Sequence, residues 1–147
     1  MTGNAIEILL VEDNPDDLDL TLRSLRRAHL ANHIQVARDG AEALEFIFGL
    51  GAHAGRDVET GPRVILLDLK LPKLDGLEVL RRVKADPRTR LIPVVVLTSS
   101  KEQPDVQECY RLGVNSYIVK PVNFEGFASA VAELGMYWLL LNQSPQG

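Results

Sequence analysis

The chain has 147 residues, 46% of them hydrophobic and 24% charged, with a net charge of −4. That is one ordinary domain with enough apolar material for a sizeable core, and no second domain fits. The acidic balance argues against a nucleic-acid footprint or a polybasic membrane surface, the single Cys109 against an internal disulfide, and the short apolar stretch from Ala5 to Val11 against a signal peptide or membrane span, so a cytoplasmic protein is expected.

Ile6 to Val11 is the first strand candidate, ending in Glu12-Asp13-Asn14-Pro15-Asp16-Asp17. Asn14 suits a helix cap with Pro15 at the first position, and Asp16 and Asp17 fall in the positive first turn. Glu12 and Asp13 lie ahead of the cap, at the carboxyl end of the strand. Leu18, Leu22 and Leu25 recur at helical spacing, with Arg23, Arg26 and Arg27 on the polar side, which a solvated helix face explains. Ile34 and Val36 mark a short second strand, and Asp39-Gly40-Ala41-Glu42 is a capping box opening a helix with Leu44, Ile47 and Phe48 inward. The connection 49–63 holds four glycines and Pro62, longer than α/β units usually need, which makes it functional or mobile. Its His53 has no second ligand nearby in sequence and is expected at the surface.

Val64-Ile65-Leu66-Leu67-Asp68 is an unbroken apolar run closing on a carboxylate, the pattern of a strand buried on both faces of a parallel sheet. Asp75 and Glu78 form a second capping box, and Asp86-Pro87 stops the helix that follows. Pro93 to Leu97 is the fourth strand, ending in Thr98-Ser99-Ser100, and the next helix runs toward Leu112 and stops at Gly113. Tyr117-Ile118-Val119 is the fifth strand, followed by Lys120-Pro121, and Asn123 caps a last helix of about 123–141.

Strands alternating with helices in this way predict an α/β fold, a doubly wound five-stranded parallel sheet of flavodoxin-like order 2-1-3-4-5 with five helices. In that order the carboxyl ends of strands one, three, four and five gather Glu12, Asp13, Asp68, Thr98 and Lys120 into one crevice. Close carboxylates raise one another's pKa and need a counter-charge, and an all-oxygen set without histidine or cysteine suits Mg2+. Lys120 adds a fixed cation and Thr98 a hydroxyl, both suited to phosphoryl oxygens.

These residues together, Glu12-Asp13, Asp68 with the following Leu-Lys-Leu-Pro-Lys-Leu-Asp-Gly, Thr98-Ser99 and Lys120-Pro121, resemble the receiver domain of two-component response regulators over nearly the whole chain. The resemblance implies a CheY-like single receiver domain over 1–147, in which Asp68 accepts a phosphoryl group from a sensor histidine kinase. It implies Mg2+ held by Glu12, Asp13, Asp68 and the backbone carbonyl of Lys70. It implies that Thr98 and Lys120 grip the phosphoryl, that Tyr117 turns inward as Thr98 moves, and that the Lys120-Pro121 bond is cis. The segments 49–57 and 136–139 are similar to those of single-domain regulators paired with bacterial phytochrome kinases.

A carboxylate is a competent nucleophile toward phosphorus, which agrees with that reading. Three rivals are weighed beside it. A phosphorelay intermediate would pass the group onward to another protein. A flavodoxin-type flavin binder would need a glycine- and hydroxyl-rich phosphate loop, where this chain has Glu-Asp-Asn-Pro-Asp-Asp. An aspartyl phosphatase would carry a second acid two residues after the nucleophile, where Lys70 stands. No output domain follows the last helix, so output is expected through an unidentified downstream protein or an oligomer. Met136 to Leu141 is apolar around the whole helix, which predicts a two-fold homodimer through the fourth and fifth strand–helix region with Tyr137 or Trp138 as anchor.

Overall fold

The computed structural model describes residues 8–27, 33–58, 61–98, 103–120 and 125. Five parallel strands, β1 (Ile8–Val11), β2 (Ile34–Ala37), β3 (Val64–Asp68), β4 (Val94–Thr98) and β5 (Ser116–Val119), form one sheet in the order β2-β1-β3-β4-β5. Helices α1 (Pro15–Arg27), α2 (Gly40–Phe48), α3 (Gly76–Ala85) and α4 (Gln103–Arg111) alternate with them. The expected last helix lies outside the described residues. Among the described helices, none is long and apolar enough to cross a membrane.

The strands are apolar on both sides because both faces are covered. Leu9, Val11, Ile65, Leu67, Val94 and Val96 pack with Leu44 and Ile47 of α2, Val79 and Leu80 of α3 and Cys109 of α4. Ile8, Leu10, Val64, Leu66, Val95 and Leu97 point the other way, onto Leu18 and Leu25 of α1. Strand β3 is buried at all five positions, and each of its four apolar side chains, Val64 to Leu67, contributes roughly 1.5–3 kcal/mol of burial. The fourth strand begins one residue later than its sequence suggests. Pro93 has no N–H to give to a ladder, although its carbonyl still accepts from Ile65 N at 3.0 Å.

Local polar chemistry sets where the helices start. The Asn14 Oδ1 accepts from the amides of Asp16 and Asp17, each at 2.9 Å, and so fixes α1 just after the acidic turn. Asp39 Oδ1 accepts from Glu42 N at 2.7 Å, while Glu42 reaches back to Arg38 N at 2.9 Å, one residue before the cap. At α3 only half of the capping box forms. Asp75 Oδ1 accepts from Glu78 N at 3.1 Å, but the Glu78 carboxylate is taken by Arg81 and Arg82 on its own helix. The same ladder continues to α4, where Glu108 meets both Arg81 and Arg111, all on exposed surface.

The connection 49–63 leaves α2 for the amino end of β3, and its described residues 49–58 are packed rather than loose. It contains a 3-10 turn at Gly51–His53. The His53 ring meets Phe46 edge-on at 5.0 Å, and the Arg56 guanidinium lies 4.1 Å over the same ring. Arg56 also donates to the carbonyls of Asp57 and Gly61. His53 is thus half-buried on an aromatic face instead of standing at the surface.

The turn from β3 into α3 is clamped from two sides. A Cβ on Gly40 would lie 1.9 Å from the Leu74 carbonyl oxygen, and one on Gly76 would lie 2.2 Å from the Asp68 carbonyl oxygen. Lys73 takes a φ of 67°, a left-handed conformation costing about 1–2 kcal/mol for a side-chain-bearing residue, and its ammonium stands 3.4 Å from Asp39. Gly76→Ala is therefore expected to destabilise the fold by about 1–3 kcal/mol, since backbone rather than a flexible side chain must yield. Urea denaturation checks it, and an unchanged midpoint would show that the turn has slack.

Candidate functional site

Parallel pairing brings four strand ends to one edge. Val11 is in register with Leu67, Asp68 with Leu97, and Thr98 with Val119. Glu12 follows β1, Asp68 closes β3, Thr98 closes β4 and Lys120 follows β5, so the edge where open α/β sheets hold ligands carries all four. Glu12 is fully buried, Asp68 is 4% exposed, and Asp13 is open to solvent. One carboxylate oxygen from each of Glu12, Asp13 and Asp68 lies within 4.8 Å of the others.

Lys120 binds this cluster together. Its Nζ donates to Asp68 Oδ2 at 3.1 Å and to Asp17 Oδ2 at 2.9 Å, and it stands 2.8 Å from Glu12 Oε1. The last contact is ionic in distance but poorly aligned as a hydrogen bond, which leaves buried Glu12 Oε1 without an aligned donor. The other Glu12 oxygen accepts from Asn14 N at 3.2 Å, and Asp68 Oδ1 accepts from Lys70 N at 3.3 Å.

The electrostatics follow from this crowding. Burial pushes the Glu12 carboxyl up to about 7, a shift that the Lys120 contact opposes and the Asp68 charge reinforces. Burial also works against the charge on Lys120, but its close contacts with Glu12 and Asp17 and the nearby Asp68 charge outweigh it and hold the ammonium above the usual lysine range. One ammonium faces four carboxylates. The surplus negative charge, the hard oxygen donors and the unaligned Glu12 oxygen together fit a divalent cation of the Mg2+ or Mn2+ kind.

Of the residues singled out from sequence, Glu12, Asp13, Asp68 and Lys120 come together. The backbone of Thr98 lies at the same edge, while its hydroxyl falls outside what is described. Lys70 contributes its amide to Asp68, and its side chain is exposed. Tyr117 is half-buried and packs against the core on the α2–α3–α4 side. Pro121, Tyr137 and Trp138 lie outside the described residues. Asp17 is the residue that sequence reasoning missed. Its place in the first turn of α1 already has a helix-dipole explanation, and its contact with Lys120 spans 103 residues, so no local pattern announces it.

Residues 8–132 match the family model of the response regulator receiver domain. The probable methanogenesis regulatory protein FilR2 of Methanothrix harundinacea is 45% identical over 138 residues, which are 94% of this chain and 86% of that protein. Among solved structures, the bacteriophytochrome response regulator RtBRR is similar at a TM-score of 0.83 and 54% identity, over 95% of this chain and 84% of its own. The Mn2+-bound form of response regulator Rcp1 is similar at a TM-score of 0.73 and 36% identity, over 95% of this chain and 97% of its own.

The raised carboxyl of Glu12 has a thermodynamic consequence. A group that binds its proton more tightly folded than unfolded stabilises the fold while protonated, and that contribution fades as pH rises from about 4.5 through about 7. In chelator, the stability of the wild type relative to Glu12→Gln is expected to fall across that window. Urea denaturation of both proteins at a series of pH values measures the difference, and a flat difference would mean that Glu12 is not strained by its burial.

Proposed function

The chain belongs to the response regulator receiver domain family, and we propose that it acts as the phosphoacceptor of a two-component phosphorelay, with Asp68 taking a phosphoryl group from a sensor histidine kinase. The observation that carries this reading is the Lys120 ammonium set against Asp68 Oδ2 inside a cluster of acids that fits a divalent cation. An Asp68 oxygen attacks phosphorus, the new O–P bond forms as the N–P bond of the donor phosphohistidine breaks, and the imidazole departs. Lys120 faces the charge that builds on the phosphoryl oxygens. Its stem is mostly buried, so its head is held in place without a large loss of freedom at the moment of reaction.

Glu12, Asp13, Asp68 and the Lys70 carbonyl are the residues proposed to hold Mg2+, which when bound neutralises phosphoryl charge and balances the acids. Thr98 is proposed to donate its hydroxyl to the phosphoryl, with Tyr117 following. The phosphoryl adds about 1.5–2 negative charges at neutral pH, enough to bias a two-state surface that a downstream protein reads.

The proposed donor is a phytochrome-type histidine kinase. The support is the 54% identity with the bacteriophytochrome response regulator RtBRR. A homodimer anchored by Tyr137 or Trp138 belongs to the same reading, and sedimentation of wild type and Trp138→Ala tests it.

Asp68→Asn is expected to keep the fold and lose labelling by a phosphorylated kinase or a small acyl phosphate, because an amide has no anionic oxygen to attack phosphorus. Chelation is expected to block labelling of the wild type. Equal labelling of the mutant would move the acceptor elsewhere.

A further inference from the structure

Lys120 has three N–H bonds, and three carboxylates surround them: Glu12 at 2.8 Å, Asp17 at 2.9 Å and Asp68 at 3.1 Å. Two of the N–H bonds are donated, to Asp17 and Asp68, and the third faces Glu12 Oε1 in an ion pair without hydrogen-bond alignment. Two of those partners belong to the cation and phosphoryl chemistry already described. Asp17 does not. It sits in the first turn of α1 and is not among the clustered cation-ligand oxygens, yet it stands closer to the ammonium than Asp68 does.

We propose that Asp17 is a positioning residue that holds Lys120 in the unphosphorylated state and must release it before the ammonium can close on a phosphoryl group, so that Asp17 sets how readily Asp68 is phosphorylated. The inference rests on the phosphoacceptor reading of Asp68. A phosphoryl on Asp68 brings new acceptor oxygens that compete for an ammonium already shared among three carboxylates, and closing on them draws it away from an existing partner. Glu12 is the expensive one to abandon, because its side chain is fully buried and water cannot replace the contact. The Asp17 side chain is about a third exposed, at 32%, so water replaces the lost contact. The positive end of α1 also stabilises its free carboxylate, and its amide is already held by Asn14. Asp17 is thus the partner whose release costs least. Its pull on Lys120 still counts against the phosphorylated state.

The test uses the whole chain with Mg2+ and beryllofluoride, a phosphoryl mimic, followed by fluorine NMR. Asp17→Asn is expected to bind beryllofluoride about twofold to fivefold tighter than wild type, the upper part of the range that a part-exposed ion pair spans. Its Mg2+ affinity should be unchanged. Asp16→Asn removes the same charge from the same turn at an exposed residue that is not among the ion-pair partners of Lys120, and is expected to match wild type. Equal affinity of Asp17→Asn and wild type would overturn the inference, as would equal tightening in the two variants, which would reduce Asp17 to general charge. A wild type that takes up no beryllofluoride would overturn the phosphoacceptor reading itself and the inference with it.

Discussion

Lys120 extends from the end of β5 past β4 to the acids at the ends of β3 and β1, and its ammonium stands within 3.1 Å of three carboxylates. Without that cation, Glu12 and Asp68 would share a buried space as bare like charges. Removing one partner from such a group typically costs about 3–5 kcal/mol, because the others stay buried and unpaired. The apolar sheet supplies the walls and the capped helices fix the approach angles, but the acids stay together only while a positive charge lies among them. The same contact makes the site reactive. A carboxylate held with one oxygen on a lysine and the other on a backbone amide is oriented before any ligand arrives.

How much of this was legible depends on the range of each interaction. The caps at Asn14 and Asp39 were readable because donor and acceptor lie within three residues, and the both-sides-buried strand β3 because its apolar run shows no period of two. The crevice followed from strand order, since chain connectivity decides which strand ends are neighbours. What could not be read was competition. Glu78 has two arginines within one turn that outbid the cap amide, and Asp17 has a lysine over a hundred positions away that outbids solvent. The connection 49–63 was ambiguous for a related reason. Its order comes from Arg56 and His53 closing on Phe46, a contact between a loop and the preceding helix that composition alone does not encode.

The two sides of the acidic crevice differ in how firmly they are built. Toward α2, backbone meets backbone: Gly40 lies under the Leu74 carbonyl, Gly76 under the Asp68 carbonyl, and neither contact has room to yield. Toward α4, the described ties are Cys109 in the core and the exposed ladder from Glu78 through Arg81 and Glu108 to Arg111. Exposed ion pairs contribute little individually and are screened by salt.

That contrast gives the molecule a stiff half and a compliant half. A charge added at Asp68, as proposed, would press on both, and among the described contacts those on the α4 side would yield first. The arginine–glutamate ladder would then work as a spring whose constant is set by the surrounding ions. The mechanical response of this chain would be larger in concentrated salt, where the spring softens, than in dilute buffer, even with the chemistry at the crevice unchanged.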